Sequence, residues 1–444
     1  MKKQQQIRNY IWLIVLGLFL CNTVSNSQKR WYPGHYVGYS NDTYDKSSKA
    51  ISFLNGPNGY LFEGLYMKIY WSDIEKDKDV YDWSIVDNFL PLIPAGKKFA
   101  CNLAPQSWHA NQHVCPKDMI GNPIFDGGEQ WMDTANVSKG DTCWYSTIYM
   151  NTTMDRYLAF VKAFADRYDN DERFAFVTSG EIQLDPVARG KQYNENTAVS
   201  NWYRMANYFP SCFKNTVSGV TGAGWSFHKG TPGFNAEKDN FAKIVLNAGG
   251  GFGFPDLVAQ SSKTTKLAFT SNLIANAGKW PSWQSVQYQD YFAKEYGDSI
   301  TFPADQMVTA NLYKTNFIWW VPYNTTKLAG GQSFDNAVKY LKAQRILHPD
   351  INPGITLNYP SFVSSVEETK YSENISNGYV RNGVLYIITK DKTLIQKVVI
   401  YNLNGQQCKS FGNIDGMPVS DLSPGVYICR VFSIDGFSTF KLSR

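Results

Sequence analysis

Between residues 59 and 346 the chain alternates short apolar runs with amphipathic stretches of helical spacing, and no other feature limits its architecture as much. A strand followed by a helix followed by a strand places the strands parallel, since the helix carries the chain back across the sheet. "GYLFEGLYMKIYW" (59–71) and "KKFACNLAP" (97–105) read as strands, with a helix around Trp83 to Ile93 between them. Met154, Tyr157, Leu158, Val161, Phe164, Ala165 and Tyr168 recur at helical spacing and lead into a strand at Phe174 to Val177. Helices are then expected near 198–209 and 238–247, a strand near 217–225, and extended runs at 254–260 and 266–271. Helices near 283–296 and 303–313, the strand "NFIWWV" (316–321) and a last helix near 333–346 complete the series. About eight βα steps in roughly 310 residues fit a (β/α)8 TIM barrel. An open doubly wound sheet is the alternative. No Gly-rich phosphate loop follows the early strands, and "NAGGGFGFPD" (247–256) comes late and before a strand, which argues against a nucleotide.

The two ends of the chain differ from this middle. Lys2, Lys3 and Arg8, the apolar run Ile11 to Leu20 and the small Ser25 and Ser27 form a secretory signal over residues 1–27, too short for a membrane span. Its removal takes the formal charge from +5 to +2 and leaves no basic stripe for nucleic acid and no later membrane-spanning run. The barrel then occupies 28–360. Residues 361–378, "SFVSSVEETKYSENISNG", are polar and lack a core pattern, as a linker does. Beyond them "GVLYIITK", "KVVIYNL", "GVYICRVF" and "STFKLSR" are short strand-like runs, expected to form a small all-β sandwich over 379–444.

Six cysteines follow the signal: Cys101, Cys115, Cys143, Cys212, Cys408 and Cys429. An even number in an exported chain permits disulfides. Cys408 with Cys429 is the expected C-terminal pair; the other four cysteines allow three pairings, among which the sequence does not choose, and a Cys115–Cys143 bridge would brace the long loop 105–153. No spacing resembles a zinc site, so no metal and no organic cofactor is expected.

In a barrel of this kind, reactive groups project from the C-terminal ends of the strands. Glu181 stands there, at the end of "RFAFVTSGEIQLDP" and on roughly the fourth strand. Asp256, after glycines and a proline in "GFGFPDLVAQ", is the candidate second carboxylate, with a turn-capping role as the alternative. Glu129 in "FDGGEQWMD" either contacts sugar or is exposed, Glu63 lies within a strand, and Glu75 starts a surface turn. Trp71, Trp108, His109, Trp225, His228 and Trp320 fall where the barrel's mouth is expected. An aromatic content of 15% suits a carbohydrate cleft, because ring faces stack on the C–H faces of sugars. Trp319 and Trp320 point to opposite sides of one strand, so only one of them can face the mouth.

The segments "LYMKIYWSDIEKDKDVYDWSIVDNFLPLIPAGKKFACNLAP" and "YLAFVKAFADRYDNDERFAFVTSGEIQLD" resemble the retaining (β/α)8 glycosidase clan, loosely and over about residues 55–350. The resemblance implies a glycoside hydrolase with Glu181 as general acid/base and a nucleophilic Glu at the end of the seventh strand. Gly180 stands where that clan has Asn, and the expected seventh strand, "KLAFTSN" (266–272), ends without a carboxylate. A non-catalytic carbohydrate-binding protein on the same scaffold is the alternative. The C-terminal "IYNLNGQ", "LSPGVYICRV" and closing "KLSR" resemble the type A sorting domain of the type IX secretion system. That implies the secretion machinery as partner, and export through the periplasm of a Gram-negative cell to its surface or beyond.

Overall fold

The computed structural model describes residues 29–39, 44–107, 112–133, 142–182, 189–222, 225, 227–258, 269–287, 289–291, 302–323, 333–360, 375–389, 395–402, 407–412, 417–433 and 436–443. The chain divides into two compact units, residues 1–361 and 362–444.

Eight parallel strands close the first unit into a barrel, in chain order around the ring. They are β1 (Gly34–Tyr39), β2 (Gly64–Tyr70), β3 (Lys98–Ala104), β4 (Phe174–Ile182), β5 (Val217–Gly222), β6 (Gly251–Phe254), β7 (Ser282–Val286) and β8 (Phe317–Trp320). β1 seals the ring by pairing with both β8 (Tyr36 opposite Trp319) and β2 (Tyr36 opposite Gly64). The larger helices are α1 (Tyr44–Leu54), α2 (Asn151–Tyr168), α3 (Glu195–Cys212), α4 (Gly233–Asn247), α5 (Thr270–Ala275), α6 (Pro303–Leu312) and α7 (Phe334–Leu347). The expected (β/α)8 TIM barrel followed by an all-β region is the observed architecture.

Two apolar layers hold the barrel. The outer layer lies between strands and helices, and α2 shows how the sequence builds it. Its apolar positions recur every three to four residues, so Met154, Tyr157, Val161, Phe164 and Tyr168 are all buried on one face. The Tyr157 hydroxyl donates to the Leu103 carbonyl of β3 at 2.7 Å, which fixes the helix against the wall. The inner layer fills the barrel with Tyr36, Tyr66, Phe176, Trp283, Phe317 and Trp319. Trp283 is wide for such a space, and β6 makes room: a Cβ on Gly253 would lie 1.7 Å from the Trp283 Nε1.

The sequence reading misplaces several elements, and the extended run expected at 254–260 begins where β6 (Gly251–Phe254) ends. β1 has no counterpart in the reading. In the second half, Thr270–Ala275 of the expected strand 266–272 is the helix α5, with 266–268 outside the described residues. The expected helix at 283–296 begins instead as the strand β7. "SWQSV" lacks an apolar run because Trp283 and Ser285 line the barrel while Gln284 faces outward, so the periodicity was too weak to read.

Among the described residues no disulfide is present. None of Cys101, Cys115, Cys143, Cys212, Cys408 and Cys429 is in a disulfide, contrary to the expected Cys408–Cys429 pair and to a Cys115–Cys143 brace. Cys408 and Cys429 lie on strands that flank Ile395–Tyr401 on opposite sides, about 10 Å apart in the hydrogen-bonding direction. That exceeds disulfide reach. The Cys115 thiol donates to the Gly128 carbonyl at 2.9 Å, and burial pushes its pKa up.

The second unit has a four-stranded antiparallel sheet of Gln407–Phe411, Ile395–Tyr401, Val426–Ser433 and Gly436–Ser443. A three-stranded sheet of Ile375–Arg381, Val384–Thr389 and Met417–Pro418 accompanies it. Leu385 and Met417 from the smaller sheet pack with Val398, Ile400, Val431 and Leu442 from the larger in one core. The first strand begins at Ile375, inside the stretch expected to be linker.

Candidate active site

A break in the regular alternation of β4 positions Glu181. Thr178 pairs with Gly219, but the next registered pair is Glu181 with Thr221, so β4 spends three residues where β5 spends two. Such a bulge reverses the in–out phase of everything after it. Without it, Glu181 would point out toward the helices. With it, Glu181 shares the inward row of Thr221, whose Oγ1 accepts from Trp283 Nε1 at 3.0 Å within the barrel. Ser179 fastens the bulge: its Oγ accepts from the Thr221 amide at 3.3 Å and donates to the Gly180 carbonyl at 2.8 Å. Glycine is required at 180, since a Cβ there would lie 2.6 Å from Pro105 Cδ.

Glu181 is half-buried as a residue, and its carboxyl group is enclosed by protein. Desolvation pushes its pKa up to about 7. The Lys68 charge pulls it down, the Asp256 charge adds to the rise, and a hydrogen bond from Gln287 opposes it. These groups come from four places in the ring. Lys68 is on β2, Asp256 follows the end of β6, and Gln287 follows the end of β7. The turn carrying Asp256 is tied to β7 by the Leu257 amide, which donates to the Ser285 carbonyl at 2.7 Å.

Below this mouth runs a polar row. Lys68, Asn102 and Thr178 lie side by side on β2, β3 and β4. Each stands two residues above Tyr66, Ala100 or Phe176 of the inner core, so all three face inward. All three are buried, and Asn102 Oδ1 and Thr178 Oγ1 have no hydrogen-bond partner in the protein. Among the described residues no group of three or more His, Cys, Asp or Glu side chains is placed to hold a metal ion.

Several expected site residues lie elsewhere. Trp71 is buried behind the wall against Tyr157 and Phe160, and its Nε1 donates to Glu75 at 2.5 Å. Glu75 is not on a surface turn; it is fully buried and receives Arg156 Nε at 2.7 Å. Glu129 is neither exposed nor free for sugar. Its carboxylate accepts from the Val114 and Cys115 amides at 2.9 and 3.3 Å and from the His113 ring. Trp225 is buried among Phe227, Phe241 and Phe269. His228 closes a turn: its amide donates to Glu195 at 2.7 Å and its Nδ1 lies 2.5 Å from Glu237. Trp320 faces outward, buried, with its Nε1 on His35 Nδ1 at 3.0 Å. Trp319 is the inward member of the pair and stacks on Tyr66, with ring centroids 4.3 Å apart. Glu63 precedes β2, at the opposite end of the barrel from Glu181. Trp108 and His109 lie outside the described residues.

Sequence reasoning missed Lys68, Asn102 and Gln287. A correct strand count would have found Gln287, which occupies the end of the true seventh strand.

The chain is thus a (β/α)8 barrel followed by an all-β region, with a carboxyl pair among polar groups at the barrel's C-terminal mouth. No family model matches the sequence, and no curated protein matches it. Solved structures of similar shape include the catalytic domain of β-amylase from Paenibacillus polymyxa, at 9% identity and a TM-score of 0.44, covering 77% of this chain and 99% of that one. Endo-glycoceramidase II from a Rhodococcus species matches at 13% identity and a TM-score of 0.43, covering 71% and 79%. A family 5 glycoside hydrolase from Prevotella bryantii matches at 9% identity and a TM-score of 0.40, covering 72% and 97%. All three are glycoside hydrolases. The barrel itself rests on its own strand registers, not on these likenesses.

Proposed function

We propose that the protein is a glycoside hydrolase in which Glu181 acts as the general acid and Asp256 as the second carboxylate. The observation that carries this reading is the inward turn of Glu181 at the mouth, where its pKa rises to about 7 within the field of Asp256. Glycoside cleavage requires one carboxyl group that still holds its proton near neutral pH and another that is ionised. Two unlike environments supply that difference. Glu181 is desolvated and holds its proton; Asp256, on the half-buried turn after β6, supplies the negative charge that helps to raise it. In this scheme the Glu181 proton passes to the glycosidic oxygen as the C–O bond breaks. Asp256 then either takes a proton from the attacking water or attacks the anomeric carbon itself.

The rival reading is a carbohydrate-binding barrel without chemistry. One observation favours it: Gln287 follows the end of β7, where the retaining clan has its nucleophilic glutamate. Release of sugar from a panel of plant and algal polysaccharides separates the two readings, with Glu181→Gln as control. Cleavage that survives in Glu181→Gln removes Glu181 from the mechanism, and binding without cleavage by the wild type establishes the rival.

We further propose that residues 1–27 direct export and that the C-terminal β unit engages the type IX secretion machinery, so that the barrel acts at the cell surface or outside. The support is the motif "LSPGVYICRV" and the closing strand Gly436–Ser443. Residues 362–444 fused to a fluorescent reporter carrying a signal peptide should reach the medium or cell surface in a type IX-competent host. Reporter retained in the periplasm would overturn the proposal.

A further inference from the structure

We infer that Trp131, Trp144 and His113 form a sugar-stacking platform beside the barrel's mouth, a subsite for a length of glycan chain that extends beyond the site of cleavage. The inference rests on the reading of the mouth as a glycan site and adds to it a second place of contact. After β3 the chain leaves the barrel as a three-stranded antiparallel sheet, in the order Gln106–Ser107, Thr142–Ser146 and Glu129–Asp133. Its root is at the mouth. The Ser146 amide donates to the Pro105 carbonyl at 3.0 Å, and Pro105 abuts Gly180, the residue before Glu181. Trp144 stands two residues out from Ser146, about 7 Å along its strand, and pairs with Trp131 on the next strand. A glycan oligomer bound at the mouth is long enough to reach the rings, and a monosaccharide is not.

Glu129 and Ser146 share the face of Trp131 and Trp144, two residues nearer the root. Both are buried, so this face is covered at its root and open at its tip, where Trp131 is 42% exposed. Among the described residues Trp131 is the one exposed tryptophan. The Trp131 and Trp144 rings meet edge to face with centroids 4.6 Å apart, and the His113 ring leans on Trp144 at 5.0 Å. Glu129 fixes that imidazole. Its carboxylate, held by the Val114 and Cys115 amides and only 2% exposed, bonds His113 Nδ1, while the His113 side chain is 52% exposed. With Nδ1 engaged, Nε2 is the ring nitrogen left for a partner outside the protein. A buried carboxylate thus orients an exposed imidazole before any ligand arrives. The chemistry matches a sugar ring: an indole face takes its C–H side, and the imidazole nitrogen takes a hydroxyl at its edge. The described residues of this face are Trp131, Trp144, Glu129, Ser146 and Ser107. Rings and polar groups without an aliphatic side chain suit an amphipathic sugar better than the apolar centre of a protein interface.

The test reads binding, with no need of cleavage. Cellohexaose, xylohexaose, mannohexaose and laminarihexaose are titrated by calorimetry into Glu181→Gln, alone and combined with Trp131→Ala or His113→Ala. At least one hexaose should bind, Trp131→Ala should weaken it about tenfold, and His113→Ala should weaken it less. Trp131→Phe keeps a ring and should recover most of the loss. A merely structural role predicts instead a lowered urea midpoint with unchanged affinity. With an active substrate, the Trp131→Ala loss should fall on KM far more than on kcat, and should be larger for polymer than for a short aryl glycoside. Failure of all four hexaoses to bind, or equal affinity in Trp131→Ala, overturns the inference. So does self-association that depends on Trp131 without glycan affinity, read by sedimentation, which assigns the rings to a second copy of the chain. Trp131-dependent affinity for a glycan that the wild type does not cleave leaves the inference standing and removes the hydrolase reading instead.

Discussion

Behind the barrel wall, Glu75 meets a guanidinium, an indole N–H and a backbone amide: Arg156 at 2.7 Å, Trp71 at 2.5 Å and Asp79 at 3.1 Å. Inside the mouth, Glu181 meets the charge of Lys68, one side-chain amide and a second carboxylate. Both carboxyl groups are enclosed, yet one is saturated with donors and the other is not. Arg156 also grips Asp118 with two bonds, at 3.0 and 3.2 Å, so the wall site is a closed network. A carboxylate so supplied with donors cross-links the structure. An undersupplied one keeps its proton into the neutral range, and a proton that can be given away is the requirement of acid catalysis.

That contrast can be broken by experiment. The largest effect belongs to the mouth: Glu181→Gln should lower the rate of glycan cleavage by about 10²- to 10⁴-fold, measured as reducing-sugar release. Next comes the wall. Arg156→Leu leaves Glu75 buried without its counter-charge and should cost about 3–5 kcal/mol in urea unfolding. A loss of kcat at unchanged stability in that variant would erase the distinction between the two regions.

A third test uses pH. The folded pKa of Glu181, about 7, lies above its ordinary value of 4.5, so the folded state binds the proton more tightly than the unfolded chain. Stability from this group is therefore fully present below about pH 4.5 and is lost as pH rises toward 7. Glu181→Gln should escape that loss, and its stability relative to wild type should improve by up to about 3 kcal/mol between pH 4.5 and 8. The smallest effect is expected at Glu129, which anchors two backbone amides. Glu129→Gln should cost about 1–3 kcal/mol and speed hydrogen exchange at Val114 and Cys115, with the chemistry untouched.

The barrel was legible because its helices carry clean apolar periodicity, as α2 does, and because Glu181 ends a long apolar strand. β1 and β7 were not, and the reason is physical. The inward face of this barrel is lined by glycine, serine and aromatic residues that fit each other in shape, not by a repeating apolar code. Trp283 beside Gly253 is such a fit, and no single-strand pattern announces it. Glu181 and Asp256 stood out in the sequence because each ends a strand near glycines, and the fold sets both at the barrel's C-terminal mouth; their chemical role remains the one proposed. The tryptophans misled because an indole serves a core as well as a cleft: Trp71, Trp225 and Trp320 all bury their rings and bond their N–H inside the protein. Of the two adjacent tryptophans on β8, alternation demanded that one face inward, but its phase could be set only by knowing that Phe317 points into the barrel.

The bulge at Ser179 and Gly180 has a genetic consequence. Glu181 faces the mouth because β4 carries one residue more than its partner strand. Deletion of a single codon there would restore regular pairing and turn Glu181 toward the helices, while every other strand kept its place. If the proposed hydrolase reading holds, its catalytic and silent forms would differ by three nucleotides, a short step that needs no new fold.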